Sequence, residues 1–291
     1  MNFIDPTTLP HGPEARFRYP RVLSIAGSDS GGGAGIQADL KTFSALGCYG
    51  MTAITAITAQ NTVGVSAIHE VPVVVLKAQI RAVLDDIGAD AIKIGMLHSP
   101  EVVGVVAWAI DEYRIEHVVL DPVMVATSGD RLMAQETVQV LVSELFHRAS
   151  VVTPNLDEAA LLLKRDIAGI ADLDRAATDL LALGARAVLL KGGHLPGNEV
   201  VDVLALTDGT RQSLQSPRIP SRNVHGTGCT LSSAIAAHLA LGLALPQAVT
   251  EARRFILSAI THGAEVQTGH GHGPLNHGHA PVPMQRLPLA G

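Results

Sequence analysis

The sequence predicts an α/β fold built around a mainly parallel sheet with helices on both faces. Short runs rich in β-branched residues alternate with longer Ala- and Leu-rich stretches of helical period, as in βαβ units. The predicted strands are Arg21 to Ala26, Thr52 to Thr58, Ala91 to Ile94, His117 to Leu120, Ser150 to Val152 and Ala187 to Leu190. The predicted helices include Ile36 to Leu46, Leu76 to Ile87, Glu101 to Tyr113, Glu136 to Phe146 and Leu173 to Leu183.

The last third of the chain departs from this simple alternation. Two shorter runs, Val200 to Leu206 and Arg211 to Gln215, flank Asp208-Gly209, a pair that favours a hairpin turn. Two long apolar helices, Thr230 to Leu241 and Leu245 to Ala264, are predicted after the hairpin.

Length and composition indicate one large domain. The chain has 291 residues, of which 47% are hydrophobic and 16% charged, and this is enough for a sizeable core. Because no internal repeat or linker divides it, we expect a single domain over residues 21–280. Residues 1–20 are then an N-terminal extension and residues 281–291 a C-terminal tail.

Charge and hydropathy exclude several classes of partner. The net charge is -6, and no cluster of Lys or Arg offers a footprint for nucleic-acid phosphates. No apolar run approaches the ~18 residues that span a bilayer, and residues 1–20 do not resemble a signal peptide. Two cysteines, Cys48 and Cys229, are too few for a disulfide framework, so both are expected to be free thiols. We expect a cytoplasmic protein that binds neither nucleic acid nor membranes.

A glycine-rich loop, Gly27 to Gly35, follows the first predicted strand. Ligands of open α/β sheets bind beyond the carboxyl ends of the strands, so this position favours a binding role. A dinucleotide site is improbable because no acidic residue lies between Asp39 and Glu70 to hold a ribose. The common phosphate loop is excluded because the sequence contains no Gly-Lys pair.

A second glycine cluster, His225 to Thr230, runs directly into a long apolar helix. A helix N-terminus with small residues offers unpaired N–H groups and the positive end of the helix dipole. We therefore predict that Gly226, Thr227 and Gly228 form an anion cradle. The alternative is an ordinary helix start that is capped by Thr227 or Thr230.

The segment Gly226-Thr227-Gly228-Cys229 resembles the Gly-Thr-Gly-Asp motif of the ribokinase-like superfamily, with Cys in place of Asp. The same replacement is the norm in the hydroxymethylpyrimidine and phosphomethylpyrimidine kinase family, which the chain resembles over roughly Arg21 to His279. The other segments that carry the resemblance are Ala26 to Asp29, Gly33 to Thr42, Thr55 to Thr62, Lys93 to Leu97, Asp121 to Met124, Thr153 to Ala159 and Lys191 to His194.

The resemblance implies a single-domain, three-layer αβα ribokinase-like fold and a bifunctional kinase of thiamine biosynthesis. Such an enzyme uses ATP and Mg²⁺ to phosphorylate 4-amino-5-hydroxymethyl-2-methylpyrimidine, and then phosphorylates the resulting monophosphate. A phosphate monoester, with its second pKa at ~6, is already anionic at neutral pH. Only the first acceptor, an alcohol, therefore has a proton to lose. The partners implied are small molecules and a second copy of the chain in a homodimer.

The resemblance also assigns the catalytic and metal-binding residues. Cys229 occupies the position of the ribokinase base, and the helix N-terminus is expected to lower the pKa of its thiol toward neutrality. Glu158 and Asp121 are implied to hold Mg²⁺ through waters, since this ion prefers hard oxygen ligands and retains water.

The same comparison implies the residues that bind the two substrates. Asn155, Lys191 and Thr227 are expected to contact ATP, although Asn155 after Pro154 also has the character of an ordinary helix cap. Gln60 follows a strand, and its side-chain amide can read the amino group and ring nitrogen of a pyrimidine. The remaining pocket residues implied are Asp39, Gly27, Met96 and Val123.

Two alternative functions remain open from the sequence. A pyridoxal or pyridoxine kinase shares the fold and the glycine motif, although Gln60 and Met96 favour the pyrimidine. A non-catalytic nucleotide-binding protein of the same fold is opposed by the presence of Glu158, Lys191 and Cys229.

Overall fold

A mainly parallel sheet forms the centre of the computed structural model, which describes residues 15–124 and 133–289. The strands in this part of the chain are β1 Phe17–Arg18, β2 Arg21–Asp29, β3 Tyr49–Gln60, β4 Val65–Glu70, β5 Ala91–Ile94, β6 Val118–Leu120, β7 Val151–Val152, β8 Ala187–Leu190, β9 Glu199–Leu206, β10 Arg211–Pro217 and β11 Leu287–Pro288. The order across the central sheet is β10-β9-β8-β7-β6-β5-β2-β3-β4. Strands β3, β2, β5, β6, β7 and β8 are parallel, so their carboxyl ends lie at one edge.

Helices cover both faces of this sheet. They are α1 Gly35–Ala45, α2 Val73–Leu84, α3 Pro100–Glu112, α4 Gln135–Leu145, α5 Leu156–Leu163, α6 Leu173–Leu181, α7 Thr227–Ala240 and α8 Leu245–Gly263. Helices α1, α7 and α8 pack against one face, and α2, α3, α4 and α6 share a core with the other. The predicted three-layer αβα fold is therefore confirmed.

The strand predictions from sequence hold, with ends that differ by a few residues. The first strand runs on from Ala26 to Asp29 through an irregularity between Ala26 and Ser28. The hairpin is also confirmed, because β9 and β10 pair antiparallel and Gly209 in the turn has φ +92°. Strand β4 was not predicted. It is an edge strand, exposed over nearly its whole length, and lacks the apolar run that marks a buried strand.

The predicted N-terminal extension and C-terminal tail meet each other. Strands β1 and β11 pair antiparallel, with Phe17 opposite Pro288. Residues 1–14 of the extension and 290–291 of the tail lie outside the described residues. Among the helices in the described ranges, none is long and apolar enough to cross a bilayer.

Candidate active site

Four polar side chains project toward α7 at the carboxyl ends of adjacent strands. Successive residues of a strand point to opposite faces, and Ala91, two residues before Lys93, packs with the α7 and α8 core. Lys93 therefore faces α7. Asp121, Thr153 and Lys191 directly follow β6, β7 and β8, respectively. By the same alternation they also face α7.

The N-terminus of α7, predicted to be an anion cradle, is open. Gly226 is the N-cap residue, with φ +83°, and no side chain caps the helix. The hydroxyls of Thr227 and Thr230 instead donate to the carbonyl groups of Val224 and Gly226. The alternative of an ordinary Thr-capped start is thus contradicted. Within the described residues, the N–H groups of Gly228 and Cys229 have no hydrogen-bond partner, so they are available to an anion.

An ion pair lies directly against this cradle. Lys191 Nζ donates to Asp121 Oδ1 at 2.9 Å, and Thr153 Oγ1 donates to the same oxygen at 3.0 Å. A Cβ atom placed on Gly228 would lie 3.1 Å from Lys191 Nζ. Burial opposes ionisation of Asp121, but Lys191, Lys93 and these hydrogen bonds hold its pKa below the ordinary value. A positive ammonium group therefore adjoins two unpaired N–H groups, which suits a phosphate.

Glu158 is a buried carboxyl group beside that ion pair. It lies in the first turn of α5, where Asn155 Oδ1 accepts from the Glu158 N–H and Glu158 Oε2 accepts from the Asn155 N–H. Burial raises the pKa of Glu158 to about 7; Asp121 adds to this rise and Lys191 opposes it. The Asn155 side-chain oxygen thus caps α5, which is the helix-cap interpretation given from the sequence.

The carboxyl groups of this cluster suit a divalent cation. Asp121 and Glu158 supply hard oxygen atoms, and because burial raises the pKa of Glu158, a cation bound beside it would stabilise its ionised form. Within the described residues no set of three or more His, Cys, Asp or Glu side chains forms a metal cage. Two carboxylates together with waters and nucleotide phosphates are the usual ligands of Mg²⁺ in such a site.

Lys93 is a buried charged residue of the site that the sequence interpretation did not single out. Its ammonium group lies 2.9 Å and 3.0 Å from the two carboxylate oxygens of Asp39, and neither side chain is exposed. Asp39 also accepts from Ser24 Oγ at 2.5 Å and Ser233 Oγ at 2.7 Å. Asp39 was predicted to contact the pyrimidine, and in this structure its carboxylate is saturated by these neighbours. A lysine inside an otherwise apolar buried strand was the available signal.

The expected low pKa of Cys229 is contradicted. Burial raises the pKa of its thiol to about 11, and the opposing effects of Lys93 and the Gly35 N–H are too small to reverse this. Asp39 and Asp121 raise it further. The residue as a whole is half-buried, and its thiol is protonated at neutral pH. Both cysteines are free, as predicted.

The predicted pyrimidine-binding residues other than Asp39, which lies on α1, are found on or just after neighbouring strands. Met96 lies over Gly27, since a Cβ atom on Gly27 would be 2.9 Å from the Met96 methyl group. The side-chain amide of Gln60 lies 3.0 Å from Thr58 Oγ1 and 3.2 Å from His225 Nε2. Val123 is half-buried after β6.

The two glycine clusters touch each other. A Cβ atom on Gly226 would lie 1.9 Å from the Gly33 carbonyl oxygen, so only glycine permits this approach. The cradle is further braced by the segment after α8. The His225 N–H donates to the Gly273 carbonyl, and His277 Nε2 lies 2.9 Å from Thr230 Oγ1.

Comparisons with known proteins identify the family to which the chain belongs. The phosphomethylpyrimidine kinase family matches residues 29–276. A hydroxymethylpyrimidine/phosphomethylpyrimidine kinase of Rhizobium meliloti is 52% identical over 259 residues, covering 89% of this chain and 97% of the relative. A phosphomethylpyrimidine kinase structure from Clostridium difficile has a TM-score of 0.73 at 43% identity, covering 82% of this chain and 99% of that one. A Bacillus subtilis pyridoxal kinase solved with ADP has a TM-score of 0.83 at 38% identity, covering 89% and 98%.

The fold, the cradle and the adjoining lysine and carboxyl groups define a small-molecule kinase of the ribokinase-like class. Within that class, the chain belongs to the phosphomethylpyrimidine kinase family.

Proposed function

We propose that this protein uses ATP to phosphorylate 4-amino-5-hydroxymethyl-2-methylpyrimidine to its monophosphate and then to its diphosphate, in thiamine biosynthesis. The observation that carries the proposal is the position of Lys191 beside the unpaired N–H groups of Gly228 and Cys229. Relatives such as the Rhizobium meliloti kinase, which bear both activities in their names, support the choice of substrate.

In the first step, the hydroxymethyl oxygen attacks the γ-phosphorus while the bond to the ADP oxygen breaks. Gly226, Thr227, Gly228 and Cys229 stabilise the charge on the transferring group through the cradle. Lys191, with Thr227 and the Asn155 region, holds the ATP phosphates. Glu158 and Asp121 would hold Mg²⁺, which neutralises phosphate charge and fixes the phosphate geometry when it is bound.

The neutral thiol of Cys229 is compatible with this chemistry. Phosphoryl transfer passes through a loose transition state in which positioning and charge stabilisation supply most of the catalysis. The alcohol therefore keeps its proton until late in the step, when the proton passes to an oxygen of the transferred phosphoryl group and from there to solvent, so a strong base is not required. In the second step the acceptor phosphate already carries an anionic oxygen. We place Cys229 beside the acceptor oxygen in both steps.

The pyrimidine ring is proposed to lie between Gln60 and the wall formed by Gly27, Met96 and Val123, with Asp39 behind it. Gln60 offers both a donor and an acceptor, which an amino group next to a ring nitrogen requires. The aliphatic and thioether side chains of Met96 and Val123 suit a small flat ring.

Pyridoxal phosphorylation is the second candidate, supported by the similarity to the Bacillus subtilis pyridoxal kinase. The protein should be incubated with Mg-ATP and either ring, and the products separated by anion-exchange chromatography. We expect mono- and diphosphate from the pyrimidine and a much lower kcat/KM for pyridoxal. Efficient conversion of pyridoxal without any pyrimidine diphosphate would contradict the proposal.

We also propose that the protein acts as a homodimer in the cytoplasm. The edge of the sheet at β3 and β4 leaves Ile57 50% exposed, Ile68 49% and Val63 71%, and such an apolar edge favours burial against a second copy. Light scattering after size-exclusion chromatography should give twice the mass of 30.4 kDa. A species of the single-chain mass would contradict the dimer.

A further inference from the structure

A buried Asp–His pair joins the two glycine clusters. His225 Nε2 lies 3.0 Å from Asp29 Oδ2, although the residues are far apart in sequence, and both are buried. A Cβ atom on Gly33 would lie 2.5 Å from Cδ2 of the His225 ring, so the imidazole fills the space that glycine leaves. The pair fixes the first loop against the residue that precedes the cradle.

The carboxylate of Asp29 is ionised and can only accept hydrogen bonds. It accepts from the N–H groups of Gly31, Gly33 and Ala34 at 2.8, 3.0 and 2.8 Å. Burial opposes its ionisation, but the hydrogen bonds from His225, Ala34 and Gly31 prevail and lower the pKa of Asp29. His225 Nε2 must therefore carry the proton that bonds to Asp29.

This proton determines which way the Gln60 amide faces. The amide group of Gln60 lies 3.2 Å from His225 Nε2, and a protonated ring nitrogen offers that group only a donor. The orientation of a Gln amide is assigned from its hydrogen-bond network. As placed, the Gln60 NH₂ group faces His225 Nε2 and the Gln60 carbonyl oxygen faces Thr58 Oγ1, so two donors oppose each other at His225. Turning the amide by 180° removes this conflict: the carbonyl then shares the His225 N–H with Asp29, and the NH₂ group donates to Thr58 Oγ1, whose own proton bonds to the Ser28 carbonyl at 2.9 Å.

We propose that the pair Asp29–His225 is a specificity latch, in which His225 is the positioning residue that orients Gln60. The latch leaves Gln60 one N–H and one carbonyl lone pair for a ligand, in a fixed order. An aminopyrimidine edge, with an amino donor beside a ring-nitrogen acceptor, complements that order. Pyridoxal carries no amino group to match the carbonyl. This inference rests on the function proposed above and adds the residue that enforces the choice of ring.

A double-mutant cycle tests whether His225 acts through Gln60. His225→Leu removes the N–H, and we expect it to lower kcat/KM for the pyrimidine by at least about tenfold, mainly through KM, with the KM for Mg-ATP within about twofold. In a Gln60→Ala background the same change should cost less than about threefold, because its target is absent. His225→Gln, which keeps an N–H donor, should retain activity within about threefold of wild type.

Equal losses from His225→Leu in both backgrounds, or a change in the KM for Mg-ATP as large as that for the pyrimidine, would overturn the latch. Failure of the proposed function would look different, because the wild-type protein itself would then leave the pyrimidine unphosphorylated. The latch has a test that needs no substrate. In ¹⁵N-histidine spectra of the free protein, with the His225 signals assigned by their loss in His225→Gln, Nε2 should be protonated. An unprotonated Nε2 overturns the proposal whatever ring the enzyme uses.

Discussion

Lys93 Nζ lies 2.9 Å from Asp39 Oδ1 in a part of the protein where neither side chain has any exposed surface. Asp39 of this pair also accepts from Ser233 Oγ of α7, the helix that follows the cradle. Removing one partner of a buried pair leaves the other uncompensated, and this costs far more than the pair itself contributes.

Lys93→Met should therefore destabilise the protein strongly. We expect the free energy of unfolding in urea to fall by about 3–5 kcal/mol, because Asp39 is left buried without a countercharge. The control is Lys93→Met combined with Asp39→Asn, which removes both charges and should recover at least about half of the loss. If the free energy of unfolding of Lys93→Met alone stays within about 1 kcal/mol of wild type, another group balances the charge of Asp39.

The raised pKa of Cys229 predicts slow alkylation. At pH 8 a thiol with a pKa of about 11 has little thiolate, so iodoacetamide should modify it at least about tenfold more slowly than free cysteine. Intact-mass spectrometry measures the rate, and Cys229→Ser identifies any labelling at Cys48. Cys48 is buried, and burial raises the pKa of its thiol to about 12. Labelling of Cys229 faster than the free amino acid would restore the thiolate hypothesis.

The raised pKa of Glu158 predicts a pH-dependent stability. Between pH 4.5, the ordinary pKa, and about 7 the folded state holds a proton at Glu158 that the unfolded state releases. The free energy of unfolding therefore falls as pH rises through this window. Glu158→Gln lacks this effect. Between pH 5 and pH 8 its free energy of unfolding should therefore rise, relative to that of wild type, by on the order of 2–3 kcal/mol.

Urea unfolding of both proteins at the two pH values measures this gain. Glu112→Gln, which neutralises an exposed carboxylate on α3, is the control and should track wild type. Parallel behaviour of Glu158→Gln and wild type would mean that Glu158 is ionised at low pH in the folded protein.

Gly226 offers a test of the contact between the two glycine clusters. Gly226→Ala places a Cβ atom 1.9 Å from the Gly33 carbonyl oxygen, whereas Gly242→Ala, with a comparable φ of +90°, meets nothing within 4 Å. Gly242→Ala should lose about 1–2 kcal/mol of stability from the left-handed backbone. Gly226→Ala should lose more than this, because the same backbone cost is joined by the clash with Gly33. Only Gly226→Ala should also lose at least about 100-fold in kcat, because it displaces the cradle. Equal kinetics in the two variants would argue against the cradle as the site of transfer.

The sequence predicted the fold well because the buried strands are short apolar runs and the crossover helices have a clear period. It also predicted the helix that begins at Gly226 to Cys229, because these residues are contiguous. It did not predict the buried pairs that Lys93 forms with Asp39 and Asp29 with His225. Their partners lie in distant parts of the chain, and only the folded sheet brings them together.

The expected low pKa of Cys229 failed for a related reason. A helix N-terminus is a local feature that the sequence can show. Burial of the thiol depends on elements from distant parts of the chain, and the sequence does not show it. In this site burial has the larger effect on the thiol.

The most direct measurement of the proposed function is the ³¹P spectrum of the product formed by wild-type protein from 4-amino-5-hydroxymethyl-2-methylpyrimidine and excess Mg-ATP. After removal of nucleotides, we expect the two coupled doublets of a diphosphate ester, preceded in time by the single resonance of the monophosphate. A reaction that yields only the monophosphate, or no phosphorylated pyrimidine at all, would contradict the proposal.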